Sequence, residues 1–154
     1  MQAAVFIDTN VLLYAASNGK SDPEKTRISR ELLRGRLWVV SMQVVQEFHV
    51  NATKKAALGI GSQKAGAVLD ELLGRAVVGM DRELFTGAVV LQNRYCLSYW
   101  DAAVLGAAKR ANCRVVFSED MDSGGLYDGT LVLNPFEQGG RWLREDHPKL
   151  GRTE

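Results

Sequence analysis

The sequence predicts an α/β fold: three layers in α/β/α order, with a central, mostly parallel sheet of about four to five strands. Three observations predict it. Short apolar runs rich in β-formers recur along the chain, and continuous runs of this kind read as strands buried on both faces of a parallel sheet. Stretches with helical periodicity and capping residues separate them, which is the alternation that builds βαβ units. Acidic residues recur at or just past the ends of these runs, or on the first turns of helices: Asp8, Glu47, Asp101, Asp120 and Asp122. An open parallel sheet collects its carboxyl ends on one edge, where ligands bind. Acids far apart in sequence are therefore expected to meet.

Residues 3–7 are a short apolar run and form the first predicted strand. Asp8-Thr9-Asn10 ends it, and residues 11–16 follow as a short helix. In Ser21-Asp22-Pro23-Glu24, Ser21 is the expected N-cap of a second helix, with Pro23 in its first turn and Glu24 three residues after the cap. Ile28, Leu32 and Leu33 are its buried stripe, and Gly35 stops it. Residues 37–40 are a second strand. Ser41 caps a helix whose apolar side carries Val44, Val45, Phe48 and Ala52, with Glu47 beside that stripe. Gly59 and Gly61 break the pattern, and residues 62–73 resume it with Ala65, Val68, Leu69, Leu72 and Leu73.

Val77 and Val78 make a short third strand, and Asp81 caps a helix running to about Asn93. Ser98-Tyr99-Trp100-Asp101 has the spacing of a capping box and opens a helix that continues through Leu105 and Ala108 to Asn112. Residues 114–117 are a buried strand. Residues 118–129 form an acidic, Gly-containing loop, and residues 131–133 are the last strand, ended by Pro135. The expected organisation is one domain over residues 1–136, followed by a polar C-terminal extension, 137–154, that Trp142 and Leu143 partly dock.

Bulk properties bound the function. A chain of 154 residues with 46% hydrophobic and 24% charged residues has the composition of one soluble globular domain. A net charge of +1 carries no global polyelectrolyte signal, so nucleic-acid contact has to come from local basic patches. Cys96 and Cys113 read as two small buried thiols rather than a disulfide. The N-terminus lacks the basic and apolar regions of a signal peptide, and no apolar stretch approaches the roughly 20 residues of a membrane helix, so the expected location is cytoplasmic.

Several carboxylates crowd together while ionised only if a cation neutralises them. Oxygen ligands suit Mg²⁺ or Mn²⁺, and metal-assisted cleavage of a phosphodiester is the expected reaction. His49 and His147 lie far from each other and from the cysteines, which argues against zinc. The Walker phosphate loop, the dinucleotide-binding glycine motif and the nucleophile elbow are all missing. Each acid also has a purely structural reading: Asp8 as a helix cap, Glu47 as a solvated helix residue, Asp101 as the reciprocal member of the capping box, Asp120 and Asp122 as loop acids.

The segments VFIDTNVLLY, QEF, YWDAAVLGAA and VVFSEDMDSG resemble the successive signatures of the PIN-domain nucleases, especially VapC-type toxins of prokaryotic toxin–antitoxin pairs. The resemblance spans residues 3–135 and implies a PIN-like α/β/α fold. It implies that Asp8, Glu47, Asp101 and Asp120 are an acidic quartet around Mg²⁺ or Mn²⁺. Asp8 and Asp101 would be the direct ligands, while Glu47 and Asp120 would orient the attacking water or a second ion. Asp122 matches a further acid of the metal site, and Asn10, Ser118 and Thr9 match supporting polar positions. The family usually follows that last acid with an aromatic; here Ser123-Gly124-Gly125 follows, so the loop is expected to differ locally.

The resemblance further implies an endoribonuclease acting on single-stranded or looped RNA such as tRNA or rRNA, leaving a 5′-phosphate. It implies a homodimer and an inhibiting cognate antitoxin; from the lack of a long apolar stretch, no membrane partner is expected. Arg27, Arg30, Arg34, Arg36, Lys54 and Lys55 are candidate phosphate contacts, and Tyr14, Tyr99 and Trp100 candidate stacking platforms for bases. Two rivals share the fold class. A phosphohydrolase of the haloacid-dehalogenase type would need a second Asp where Asn10 stands. A non-catalytic RNA-binding scaffold would not be expected to keep the whole acidic set.

Overall fold

A computed structural model describes residues 4–141. Its elements in chain order are β1 (Val5–Ile7), α1 (Thr9–Ala16), α2 (Pro23–Gly35), β2 (Trp38–Ser41), α3 (Met42–Ala52), α4 (Ser62–Leu73), β3 (Val77–Val78), α5 (Arg82–Tyr95), α6 (Tyr99–Arg110), β4 (Val115–Phe117), β5 (Leu126–Tyr127) and β6 (Thr130–Leu133). The strands lie in the order β3-β2-β1-β4-β6-β5. Every pairing is parallel except that of β5 with β6. From β1 the chain winds outward through β2 to β3 and then crosses back to place β4 on the other side of β1. The order therefore reverses between β1 and β4, the position at which open α/β sheets bind ligands.

The central strands are buried because they face helices on both sides. Phe6, Ile7 and Val116 are fully enclosed. The helices pack in two groups, α1 to α4 against one another and α5 against α6, giving the three-layer α/β/α arrangement expected from the sequence. Asp81 caps α5 through the Leu84 amide at 2.8 Å and also takes a two-pronged bond from Arg110 at the end of α6 (2.8 and 2.9 Å). That pairing ties the start of α5 to the end of α6, two helices that pack side by side.

The sheet has six strands where the sequence reading found five. The sixth, β5, lies inside the segment read as a loop. Asp128 and Gly129 join it to β6, both with positive φ (47° and 84°), which is the two-residue turn that suits a right-twisted hairpin and favours Asp-Gly. The signal is present in the sequence, Asp-Gly between Leu126-Tyr127 and Thr130-Leu131, but the pair reads as part of the acidic, Gly-containing run that precedes it. The second helix is capped by Asp22, not Ser21: the Asp22 carboxylate accepts from the Lys25 amide at 3.0 Å. Pro23 is thus the first helical residue, and the cap is the residue just before it. Helix α1 begins at Thr9 rather than Val11 because Asp8 itself caps it.

Leu73, placed on the buried stripe of α4, is 57% exposed; the stripe narrows to Ala65 and Leu72, flanked by half-buried Val68 and Leu69. Cys96 is not a buried thiol. It is exposed, in the left-handed conformation that ends α5. Cys113 is buried, which pushes its thiol up to about 11. Among the described residues no helix is long and apolar enough to cross a membrane. Trp142 and Leu143 lie outside the described residues.

Phe48 is fully buried on α3, next to Glu47. Phe48→Ala should cost about 3–5 kcal/mol in urea-induced unfolding, whereas His49→Ala, exposed one residue on, should change stability by less than about 0.5 kcal/mol. Equal effects would refute this placement of α3.

Candidate active site

Asp8 and Ser118 stand side by side where the β1 and β4 ladders end. The Asp8 amide donates to the Phe117 carbonyl at 3.1 Å, carrying the pairing one residue past β1. Asp8 is 8% exposed and both carboxylate oxygens are engaged. Oδ1 accepts from the Thr9 amide at 2.8 Å and Oδ2 from the Ser118 hydroxyl at 2.6 Å. The Ser118 Oγ in turn accepts from the Asp120 amide at 3.2 Å.

The next two residues reach two other acids. Thr9 donates its hydroxyl to Glu47 Oε2 at 2.6 Å, and Asn10 donates its amide to Asp120 Oδ2 at 2.8 Å. Gln43, one helical turn before Glu47 on α3, donates to the other Glu47 oxygen at 3.0 Å. Residues 8–10 therefore form a hub from which one side chain each runs to Ser118, Glu47 and Asp120. Thr9 is buried and its bond to Glu47 is partly shielded from water, where a charge-assisted bond counts for more, whereas the bond from half-buried Asn10 to Asp120 is exposed.

Asp101 enters from α6. Ser98 caps that helix by accepting from the Asp101 amide at 3.1 Å. The reciprocal half of a capping box, a bond from the Asp101 carboxylate back to the Ser98 amide, is not made among the described residues. Both Asp101 oxygens are therefore left for the cleft. The four acids act on one another. The Asp8 carboxyl is held above its usual value first by burial, with Glu47 and Asp120 adding repulsion against the opposing bonds from Ser118 and Thr9. Asp120 stands at the exposed mouth and is also raised, first by the protein on its inner side, then by Glu119, Asp101 and Glu47, with Lys55 opposing. Asp122 is exposed, and it and Asp101 both act on Tyr127.

Among the described residues no three His, Cys, Asp or Glu side chains are arranged as a ready-made metal cage. That arrangement still suits a hard cation that keeps most of its waters and takes only one or two carboxylates. The donors are all oxygens, they repel one another, and Asp101 and Asp120 Oδ1 carry no protein hydrogen bond among the described residues. On donor chemistry the residues fit Mg²⁺ or Mn²⁺.

The six basic candidates separate. Lys55 acts on Asp120 at the mouth. Arg27 pairs with Glu31, and Arg30 closes the end of α1 by donating to the Ala15 and Ser17 carbonyls. Arg36 lies over the Phe117 ring at 5.8 Å. Lys54 and Arg34 are exposed. Two features escaped the sequence reading. One is Gln43, whose four-residue spacing to Glu47 was the available signal. The other is Glu119, wedged between Ser118 and Asp120 in sequence. Its carboxylate turns away to Lys25 Nζ at 2.8 Å and the Tyr14 hydroxyl at 3.1 Å. Lys25 also sits over the Tyr14 and Phe136 rings. Tyr14 is thus committed to this cluster and not open to a base. Nothing in the local sequence announces that pairing, because its partners lie 94 and 105 residues away.

Glycines shape the loop after Asp122. Gly124 has φ +86° and donates to the Val132 carbonyl at 2.8 Å, while a Cβ on Gly125 would stand 2.7 Å from the Tyr127 ring. The Gly-Gly pair lets the loop lie against β6 with Tyr127 over it.

The PIN domain family model matches residues 5–124. Among solved structures, the chain is similar to a toxin-antitoxin complex from Klebsiella pneumoniae, with 18% identity and a TM-score of 0.66 over 87% of this chain and 99% of that one. It is also similar to Mycobacterium tuberculosis VapC20, a Sarcin-Ricin loop cleaving toxin, with 17% identity and a TM-score of 0.62 over 76% of this chain and 92% of that one. At these identities the likeness is one of fold. No curated protein sequence matches the chain.

Because the folded state raises the Asp8 carboxyl, it binds that proton more readily than the unfolded chain does. The stability this contributes is complete below the ordinary value of 3.8 and is lost as pH rises through the raised one. Without metal, Asp8→Asn should therefore melt at a higher temperature than the parent at pH 7, with the gap closing towards pH 4. A gap that is constant with pH would contradict this. In the second cluster, Lys25→Met should cost about 1.5–3 kcal/mol by leaving Glu119 without its cation. A loss below about 0.5 kcal/mol in urea unfolding would show that pair to be idle.

Proposed function

The chain belongs to the PIN domain family, and from that premise we propose that it is a metal-dependent endoribonuclease of the VapC toxin type, hydrolysing phosphodiester bonds in single-stranded or looped RNA. The observation that carries the reading is the hub. Three consecutive side chains bond to Ser118, Glu47 and Asp120, so that Asp8 and two acids from α3 and the loop after β4 meet at the switch point of the sheet, with Asp101 left unbonded among the described residues. A merely structural cluster would be expected to pair its carboxylates with cations, as Glu119 is paired with Lys25.

Asp8 and Asp101 would hold Mg²⁺ or Mn²⁺ directly, with Asp120 and Asp122 towards the mouth. When bound there, the ion offsets the carboxylate charge and supplies the Lewis acidity that phosphodiester hydrolysis needs. The rest falls to the protein. Glu47, gripped at both oxygens by Thr9 and Gln43, is placed to orient the attacking water and accept its proton. Asp120, held by Asn10, closes the other side. Ser118 fixes Asp8 and the Asp120 backbone with one hydroxyl, so the two acids keep their spacing as substrate enters. Lys55 at the mouth supplies positive charge for an approaching phosphate.

Residues 1–136 would form the nuclease unit, and tRNA or rRNA in the cytoplasm would be the target, cut to leave a 5′-phosphate. The similarity to VapC20 supports RNA as substrate, and that to the Klebsiella complex supports a cognate antitoxin as partner. A homodimer completes the reading.

Purified protein, checked by intact-mass spectrometry to be free of bound partner, should cut labelled total RNA into discrete fragments with Mn²⁺ or Mg²⁺ and none with EDTA. Asp101→Asn should lose more than about 100-fold in rate. Ser118→Ala, which removes a positioning bond, should lose about 10- to 100-fold. Undiminished cutting by Asp101→Asn would sink the assignment of the acids.

A further inference from the structure

Beside the acids, α3, α6 and the chain after β3 enclose a cleft of about 300 Å³ lined by Met42, Gln43, Gln46, Met80, Tyr99 and Trp100 among others. We propose that this cleft takes one unpaired nucleobase of the RNA strand, next to the bond that is cut. The proposal rests on the nuclease reading and adds a specificity subsite to it.

Charge comes first. No Asp, Glu, Lys or Arg lines the cleft, although its wall residue Gln43 bonds to Glu47 and its wall residue Trp100 directly precedes Asp101. A nucleic-acid strand has one charged part and one flat, neutral part. The acids with their cation suit the phosphate, and the neutral cleft suits the base. Shape agrees. Trp100 is 63% exposed, yet its ring is braced edge-on against Tyr99 at 5.1 Å, and Tyr99 packs on Phe85 at 5.6 Å. An exposed but braced aromatic is a platform on which any base can stack. Met42 and Met80, 36% and 50% exposed, supply adaptable sulfur-bearing walls. The volume lies at the lower end of small-molecule sites, which suits one planar ring system rather than a folded segment.

Polar groups are present in the number a base edge uses. Gln46 makes no hydrogen bond among the described residues, so its amide has a donor and an acceptor to offer. Gln43 gives one N–H to Glu47 and keeps the rest of its amide for the cleft. Continuity is the last observation. Gln43 belongs both to the cleft wall and to the grip on Glu47, and Trp100 precedes Asp101 on α6. A base seated here would set the position of its own phosphate relative to the acids, and a base that Gln46 and Gln43 match would be placed best.

The test is equilibrium binding at fixed salt, by fluorescence anisotropy, of labelled oligo(A), oligo(U) and oligo(C) decamers and a decamer of base-free ribose phosphate, all to Asp8→Asn protein with Mg²⁺. At least one base-bearing decamer should bind about 5- to 150-fold more tightly than the base-free one, the range one base–aromatic stack confers. Adding Trp100→Ala should remove most of that gap, and Trp100→Phe should restore part of it. Trp100 is exposed, so both variants should fold; melting curves verify this. A gap that is absent, or that survives Trp100→Ala intact, overturns the proposal. So does a fall from dimer to monomer in Trp100→Ala with the gap unchanged, which would put a second copy of the chain in the cleft. Cleavage by the parent protein is read separately. Cutting without a base preference in binding defeats the cleft alone, and a base preference without cutting defeats the nuclease reading alone.

Discussion

The structure depends on one constraint: carboxylates that repel one another have to be kept close. Residues 8–10 meet it with neutral donors. Asp8 is tied to Ser118, Thr9 to Glu47 and Asn10 to Asp120, so each acid is fixed by a hydroxyl or an amide and not by a cation. A lysine or arginine in the same places would cancel the negative charge that neutral donors leave in place. The strand order serves the same constraint. Only with β4 beside β1 does Ser118 fall within 2.6 Å of Asp8, and only because Asp8 caps α1 do Thr9 and Asn10 open a helix that turns their side chains towards α3 and the loop after β4.

This arrangement costs stability. A carboxylate that burial and two like charges hold above its usual range is a standing penalty near neutral pH, and the enclosed strands around it provide the compensation. The protein limits the penalty where it can. Glu119 sits between Ser118 and Asp120 but is drawn aside by Lys25 and Tyr14. One acid of the local run is thereby neutralised, while its neighbour Asp120 keeps its charge for the mouth. Two adjacent glutamate and aspartate residues thus serve opposite ends, and the difference lies wholly in what faces them.

The surface around the site divides in the same manner. Carboxylates and Lys55 hold the charged part, and a neutral cleft lined in part by Trp100 adjoins it through Gln43. Gln43 joins the two halves by holding Glu47 from the cleft wall. A strand of alternating charged and flat neutral groups fits such a surface better than a small phosphoester does. On the proposed reading, catalysis and selectivity belong to neighbouring but separable groups of residues.

The sequence by itself determined the layer architecture, the six helices, five of the six strands and the acids. All of these are written in local pattern: apolar runs, helical periodicity, caps such as Ser41, Asp81 and Ser98, and carboxylates where strands end. It also held the Asp-Gly turn of the β5–β6 hairpin, unread because two-residue β5 follows directly on the acidic, Gly-containing run 118–125. Tertiary structure alone decided which carboxylates are engaged and which are open. Asp101 has the spacing of a capping box, yet its carboxylate does not close one; Asn10 and Asp120 bond across 110 residues; Glu119 is turned aside by a lysine 94 residues away. Burial on two-sided elements went the same way, with Leu73 and Cys96 facing solvent despite apolar surroundings in sequence. The reason is physical. Caps and periodicity are satisfied within a turn or two of chain, whereas the state of a charge depends on every group the fold brings within a few ångströms of it, and those groups come from anywhere in the sequence.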